Sequence, residues 1–339
     1  MIAPATRFDV VWDHVLEMSD EHAMFEHADR NRPRFEHGYC VDDNARLLVV
    51  ASQERDGGPA GQLSRLALKF VLGSQAADGR CRNRMNHAGQ WTDRASTDDC
   101  WGRAVWGLGV AAAHHQSPEV RVSALAGFDA SIVCRSASIR SMAFAAIGAA
   151  HVAGHFPEHH AARSFLDDAL RSIGGPLSDA WPWPEPKLTY ANAVLAEAVI
   201  AAGSVLDRDA DRQRGLAMLG WLCRMQDRNG HLSVVGTGGR SIGETSPQFD
   251  QQPIEAAALA DACWRAFTLT GDAMWARGIE AAAGWFHGRN DGGVMIGDHE
   301  TGGGYDGLSV DGVNTNQGAE STLAYLSTMQ RASALAAHA

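Results

Sequence analysis

Positive charge is scarce in this chain, and lysine is nearly absent: 29 basic residues face 40 acidic ones, and only Lys69 and Lys187 are lysines. A formal charge of −11 argues against a nucleic-acid or anionic-membrane surface. The six cysteines (Cys40, Cys81, Cys100, Cys134, Cys223 and Cys263) form no CxxC pair and no Cys-His cluster at zinc spacing. They read as free thiols in a reducing cytoplasm. The N-terminal stretch has no basic region followed by an apolar one, so no secretion signal is expected. The longest weakly polar run, Ala191 to Leu206, contains Asn192 and Glu197 and is too short to span a bilayer. There is no HExxH, no Walker loop, no GxSxG elbow and no dinucleotide fingerprint, so neither a metal nor a cofactor is expected. No linker or composition shift divides the chain, and residues 1–339 read as one domain.

What the chain does have is helices of two kinds. One kind carries an apolar stripe and a charged face: residues 63–70, 163–173, 212–225 and 273–286. These bury one side and wet the other. The other kind is apolar nearly all round and rich in Ala and Gly: residues 45–52, 104–113, 143–153, 193–203, 256–266 and 321–328. A helix with no wet face must be surrounded by protein, and small side chains let such helices approach closely. The alternation predicts an all-α fold, an (α/α)6 toroid of six helical hairpins with an inner and an outer layer.

Each apolar helix is preceded by a polar cluster: Asp42-Asp43-Asn44, Asp98-Asp99, Ser136-Ser138-Arg140, Tyr190-Asn192, Gln251-Gln252-Glu255 and Gln317-Gly318-Glu320. They recur roughly every 40–65 residues, the spacing of hairpins with variable loops. Chain direction would put all six on one face, at the N-termini of the inner helices. The loops 227–250 and 288–317, with Gly236-Thr237-Gly238-Gly239 and Gly302-Gly303-Gly304, are long enough to carry β-hairpins or lids around that mouth.

The pattern resembles the six-hairpin glycosidase-like toroids. The segments Gly-Tyr-Cys-Val-Asp-Asp-Asn-Ala-Arg (38–46) and Asn-Thr-Asn-Gln-Gly-Ala-Glu-Ser (314–321) are similar to stretches of bacterial toroid proteins associated with glycosyltransferases and mannoside metabolism. The placement of Asp42/Asp43 and Asp98/Asp99 on successive hairpins also resembles unsaturated glucuronyl hydrolases. The resemblance implies a carbohydrate substrate and, as an alternative, association with a glycosyltransferase.

Glycoside hydrolysis needs one carboxyl to protonate the leaving oxygen and another to activate water or attack carbon. Asp43, Asp99 and Glu320 are the candidate catalytic residues. Adjacent helical residues do not share a face, so at most one aspartate of each pair is expected to face the funnel. The competing reading is structural: Asp is a favoured N-cap, and Arg46 and Arg103 stand three and four residues after Asp43 and Asp99, at ion-pair spacing. Candidate substrate-binding residues are Asp42, Asn44, Asp98, Trp101, Trp181, Trp183, Tyr190, Asn192, Asp250, Gln251, Gln252, Asp306 and Asn316. The indoles of Trp181-Pro182-Trp183-Pro184 would stack on a sugar ring, and the amides would bind hydroxyls. His114-His115 reads as a surface turn away from the mouth.

The expected function is an inverting glycoside hydrolase. Sugar epimerases or isomerases share the toroid but favour histidine as the proton shuttle, and no inner-helix start contains one. A terpenoid cyclase, suggested by Thr97-Asp98-Asp99, needs an apolar cavity that these polar starts do not supply. A non-catalytic glycan-binding module would keep the Trp and amide groups and use its carboxylates only for caps and ion pairs.

Overall fold

The computed structural model describes residues 10–54, 56–245 and 247–338. Its helices are α1 (Asp13–Glu17), α2 (Val41–Ser52), α3 (Gly58–Ser74), α4 (Asp99–His114), α5 (Pro118–Ser131), α6 (Ile139–His155), α7 (His160–Ile173), α8 (Asn192–Val205), α9 (Asp209–Gln226), α10 (Pro253–Thr270), α11 (Ala273–Phe286) and α12 (Ala319–Ala336). The even-numbered helices form an inner ring: α2 packs on α4, α4 on α6, α6 on α8, α8 on α10, α10 on α12, and α12 returns to α2. Each of α3, α5, α7, α9 and α11 packs outside the inner helix before it. The expected toroid is present. Five long outer helices accompany the six inner ones among the described residues, and α1, of five residues, precedes the first inner helix.

The all-round apolar helices are the inner ones, and their lack of bulk matters. A Cβ on Gly109 of α4 would lie 2.4 Å from the carbonyl oxygen of Gly148 on α6, and one on Gly148 would lie 2.4 Å from that of Val105. These backbones therefore touch, which only glycine allows. The outer helix α5 was not expected from the sequence. Its charged residues are spread through Glu119, Arg121 and Asp129, yet Val120, Ala124 and Phe128 still make a buried stripe.

Chain direction puts the outer-to-inner loops together at the N-terminal ends of the inner helices. Short antiparallel pairs brace this face: Tyr39–Cys40 with Arg84–Met85, Lys187–Leu188 with Arg240–Ser241, and Gly307–Ser309 with Gly312–Asn314. The strands expected in the two long loops are there. At the opposite end the surface reading agrees with His114, which is exposed, and needs correction for His115. His115 is buried with its Nε2 2.9 Å from Ser64 Oγ, and His114 Nε2 lies 2.7 Å from His151 Nδ1.

Candidate functional site

Between α2 and α12, where the ring closes, a cavity of ≈ 390 Å³ opens on the mouth. Five carboxylates line it: Glu26, Asp42, Asp43, Asp306 and Glu320, with Arg46, Arg103, His27 and Gln252 beside them. Asp42 and Asp43 both face it, against the expectation that one of the pair would turn away. The first turn of α2 makes this possible, because its backbone is capped from another loop. Asn83 Oδ1 accepts hydrogen bonds from Val41 N at 3.0 Å and Asp42 N at 3.3 Å, and Asn83 Nδ2 donates to the Asp42 carboxylate at 2.9 Å. Neither α2 nor α4 is capped by a bond from its own N-cap side chain, so these aspartates are not used as caps.

Two buried arginines use the carboxylates instead. Arg46 donates to Asp43, three residues earlier, and across the seam to Glu320. Arg103 donates to Asp42 at 2.7 Å and lies 3.5 Å from Asp99. The intrahelical pairs follow from spacing, whereas the interhelical ones require the ring. Their effect on the neighbours is unequal. Burial works to raise the pKa of Asp42, but the Arg103 and Arg46 guanidiniums outweigh it and hold this carboxyl below its ordinary value. For Asp43 burial dominates over Arg46, and the nearby Glu320 and Asp42 charges add to it, pushing the pKa up to about 6. Burial likewise raises Asp306, whose Oδ1 accepts from Gly318 N at 2.9 Å. Two adjacent carboxyls in one cavity thus have pKa values shifted in opposite directions.

Glu26, Cys40 and Asp43 place donor atoms within 4.8 Å of one another, close enough for a metal ion. Their charge is already balanced, however. Arg84 pairs with Glu26 and Arg46 with Asp43. The Cys40 thiol, kept protonated by burial, donates to Asp43 at 2.9 Å.

Other expected site residues are placed differently. Asp99 does not line this cavity; its carboxylate accepts from Ser141 Oγ at 2.8 Å and from the Tyr190 hydroxyl. Tyr190 is 36% exposed, at the rim. Trp101 and Trp183 are fully buried and Trp181 nearly so, which corrects their reading as sugar platforms. Trp101 Nε1 donates to Ser131 O at 3.2 Å, and Trp181 and Trp183 pack on Trp221. These large apolar indoles fill the core instead of meeting solvent.

The buried amides are engaged within the fold, one with the backbone and two with other side chains. Asn44 bonds Met24 and Cys40 main-chain groups, Asn192 Nδ2 donates to Glu255 at 2.8 Å, and Gln251 joins Asp291 to Trp285. Asn316 Oδ1 accepts from Arg30 N at 2.9 Å. Asp250 and Asp98 are exposed outside the cavity lining, whereas Gln252 and Asp306 line it as expected.

Glu26 and His27 were missed. Both belong to the loop leading into α2, and the chain-direction rule that placed the helix starts on the mouth applies equally to that loop. Reading only the starts overlooked them.

No protein-family model matches the chain, and no curated protein sequence does. Solved structures do match in shape. D-mannose isomerase superposes with a TM-score of 0.71 over 100% of both chains at 11% identity. The fold is the six-hairpin α/α toroid. Cellobiose 2-epimerase of Bacillus thermoamylovorans B4167 matches this toroid at TM-score 0.70 and 10% identity, covering 95% of this chain and 96% of that one. The GH76 α-mannanase of Bacteroides thetaiotaomicron matches it at 0.63 and 13%, covering 95% and 92%. At such identities the toroid alone is shared, and its chemistry has to come from its own cavity.

Proposed function

We propose that this toroid is a cytoplasmic glycoside hydrolase that binds its sugar in the cavity at the α2–α12 seam. One observation carries the reading: Asp42 and Asp43 line the same cavity with their pKa values driven apart, one held low by arginines and the other raised to about 6 by burial. A carboxyl with a raised pKa beside one held ionised is the pairing that acid/base cleavage of a glycosidic bond uses. In this reading Asp43 gives its proton to the leaving oxygen. Asp42 takes a proton from the water that adds to the anomeric carbon, and inversion follows. Glu320 is the third carboxylate available, and it reaches the cavity from across the seam. The solved structures of similar shape include a mannanase and a GH family 9 endoglucanase by their names, and six unbridged cysteines agree with a reducing compartment.

A second reading has its own observation. His27 lines the cavity, and burial lowers its pKa, leaving a neutral imidazole suited to removing a proton next to a sugar carbonyl. The solved structures of similar shape also include three sugar epimerases and a D-mannose isomerase by their names.

A single set of assays separates the two. Product release would be followed on α- and β-linked manno-, gluco- and uronate-containing oligosaccharides, with deuterium uptake from D2O into free sugars in parallel. Asp42→Asn, Asp43→Asn, Glu320→Gln and His27→Ala accompany the wild type. Hydrolysis is expected, lost by roughly 10²–10⁴-fold in Asp43→Asn and retained in His27→Ala. It should fall as pH rises above about 6, where Asp43 gives up its proton. Deuterium uptake that depends on His27, without hydrolysis, would transfer the site to the epimerase reading. Glycan binding without turnover in any protein would make it a binding module.

A further inference from the structure

Away from the mouth, α9, α10 and α11 meet around two thiols. Cys223 Sγ of α9 and Cys263 Sγ of α10 are 3.8 Å apart. Gly278 of α11 makes room for them, since a Cβ there would stand 2.5 Å from Cys263 Sγ. The two differ in access: Cys263 is buried, whereas Cys223 lines a surface pocket of ≈ 350 Å³. That pocket has an apolar floor of Leu232, Leu259 and Met274, and its charged lining is Arg224 and Arg277 against the single carboxylate of Asp227, with His231 beside them.

We propose that Cys223 is a thiol–disulfide exchange site for small anionic disulfides, with Cys263 as its resolving thiol. The Cys223 thiolate attacks one sulfur of the small disulfide, forming a mixed disulfide and releasing one thiol. Cys263 then attacks Cys223 Sγ, its proton passing to the departing thiolate, which closes the protein disulfide and releases the second thiol. The protein dithiol is oxidised by two electrons and the small disulfide is reduced to two thiols. Arg224 and Arg277 supply the attraction for a carboxylate-bearing reagent, and the apolar floor takes its methylenes.

The reactivity order among the thiols agrees. The hydrogen bond from Cys263 lowers the pKa of Cys223, with Arg224 assisting, while the same bond and burial raise that of Cys263. Burial raises Cys40, Cys81 and Cys100. Cys134, half-buried, is also raised, and its thiol donates to Asp78 O at 3.2 Å. An attacking thiol needs thiolate character and access together.

The test exposes the native chain to oxidised glutathione and, separately, to cystamine, a cationic disulfide, followed by intact-mass and peptide analysis. Oxidised glutathione should link the peptides containing Cys223 and Cys263, and Cys263→Ser should accumulate glutathione on Cys223. The double variant Arg224→Gln/Arg277→Gln should slow glutathione exchange by roughly tenfold relative to cystamine exchange. Labelling spread over the other cysteines, or an inert Cys223, would overturn the site. Equal rates for the two reagents, unchanged by the arginine variants, would overturn the anionic class.

Discussion

At the scale of single residues, the inner-helix starts show how one chemical type acquires different roles from its surroundings. Asp42, Asp43, Asp99 and Glu320 are all carboxyls near helix N-termini, where the helix dipole favours the charged form. What separates them is depth and the guanidinium each one meets. Glu255 extends the argument. It is buried at the start of α10 and accepts from Asn192 Nδ2 at 2.8 Å; its other oxygen has no partner among the described residues. Burial pushes its pKa from 4.5 to about 7.

The folded state therefore binds this proton more tightly than the unfolded chain does. The stability it contributes is fully present below about pH 4.5 and is lost as pH rises through 7. Relative to Glu255→Gln, the wild type should lose on the order of 2–3 kcal/mol between pH 5 and pH 8, seen as a melting-temperature difference that grows with pH. A difference that stays constant across that range would mean the carboxyl is not buried as described. Trp101 belongs here too. If it fills the core, Trp101→Ala should cost about 3–5 kcal/mol in denaturant unfolding, whereas a surface sugar platform would cost little stability.

Among the elements, α4 and α6 form the tightest pair because glycines face each other. Gly148→Ala inserts a methyl against the Val105 carbonyl at 2.4 Å and should cost about 1–3 kcal/mol by pushing the helices apart. The same change at Gly154, where a Cβ meets nothing within 4 Å, should be neutral or stabilising because Ala is the better helix former. Equal effects at the two positions would remove close packing as the explanation. The amphipathic outer helices follow ordinary periodicity. Helix α5 escaped notice because its polar residues interrupt the stripe, yet packing on α4 still buries enough apolar surface to hold it.

The cavity is a property of the whole molecule, since its walls come from the first and last inner helices and from the loops on either side. Arg46 pairs with a residue three positions away and with one 274 positions away. The second pair exists only when α12 docks against α2. Removing residues 319–338 would take Glu320 from Arg46 and leave it only Asp43, bare the apolar flanks of α2 and α10, and open the ring. Loss of a single cooperative unfolding transition is the expected outcome in calorimetry; a truncated chain that melts like the full one would show that ring closure contributes nothing to stability. The lumen also narrows between its ends, lined by Val50, Phe144, Ile147, Val194, Ile254 and Leu323 below Arg46 and Glu320. Among the described residues no helix is long and apolar enough to cross a membrane.

The layered toroid was legible in the chain because an inner helix cannot tolerate a polar face and an outer one needs it, so the composition of each stretch reports its layer. Chain direction, a local property, likewise told which end would carry the polar groups. The site was legible only in outline. Whether Asp43 or Asp99 would sit beside Glu320 depends on which helices become neighbours when the ring closes. Which of Asp42 and Asp43 has its pKa lowered depends on the arginine reached from the next helix. The indoles of Trp101, Trp181 and Trp183 show the limit most clearly, because a tryptophan before a helix has the same sequence whether it faces a sugar or the core. Short-range chemistry determined the helices and their order. Tertiary packing decided the charges and the exposures, because both depend on residues far apart along the chain.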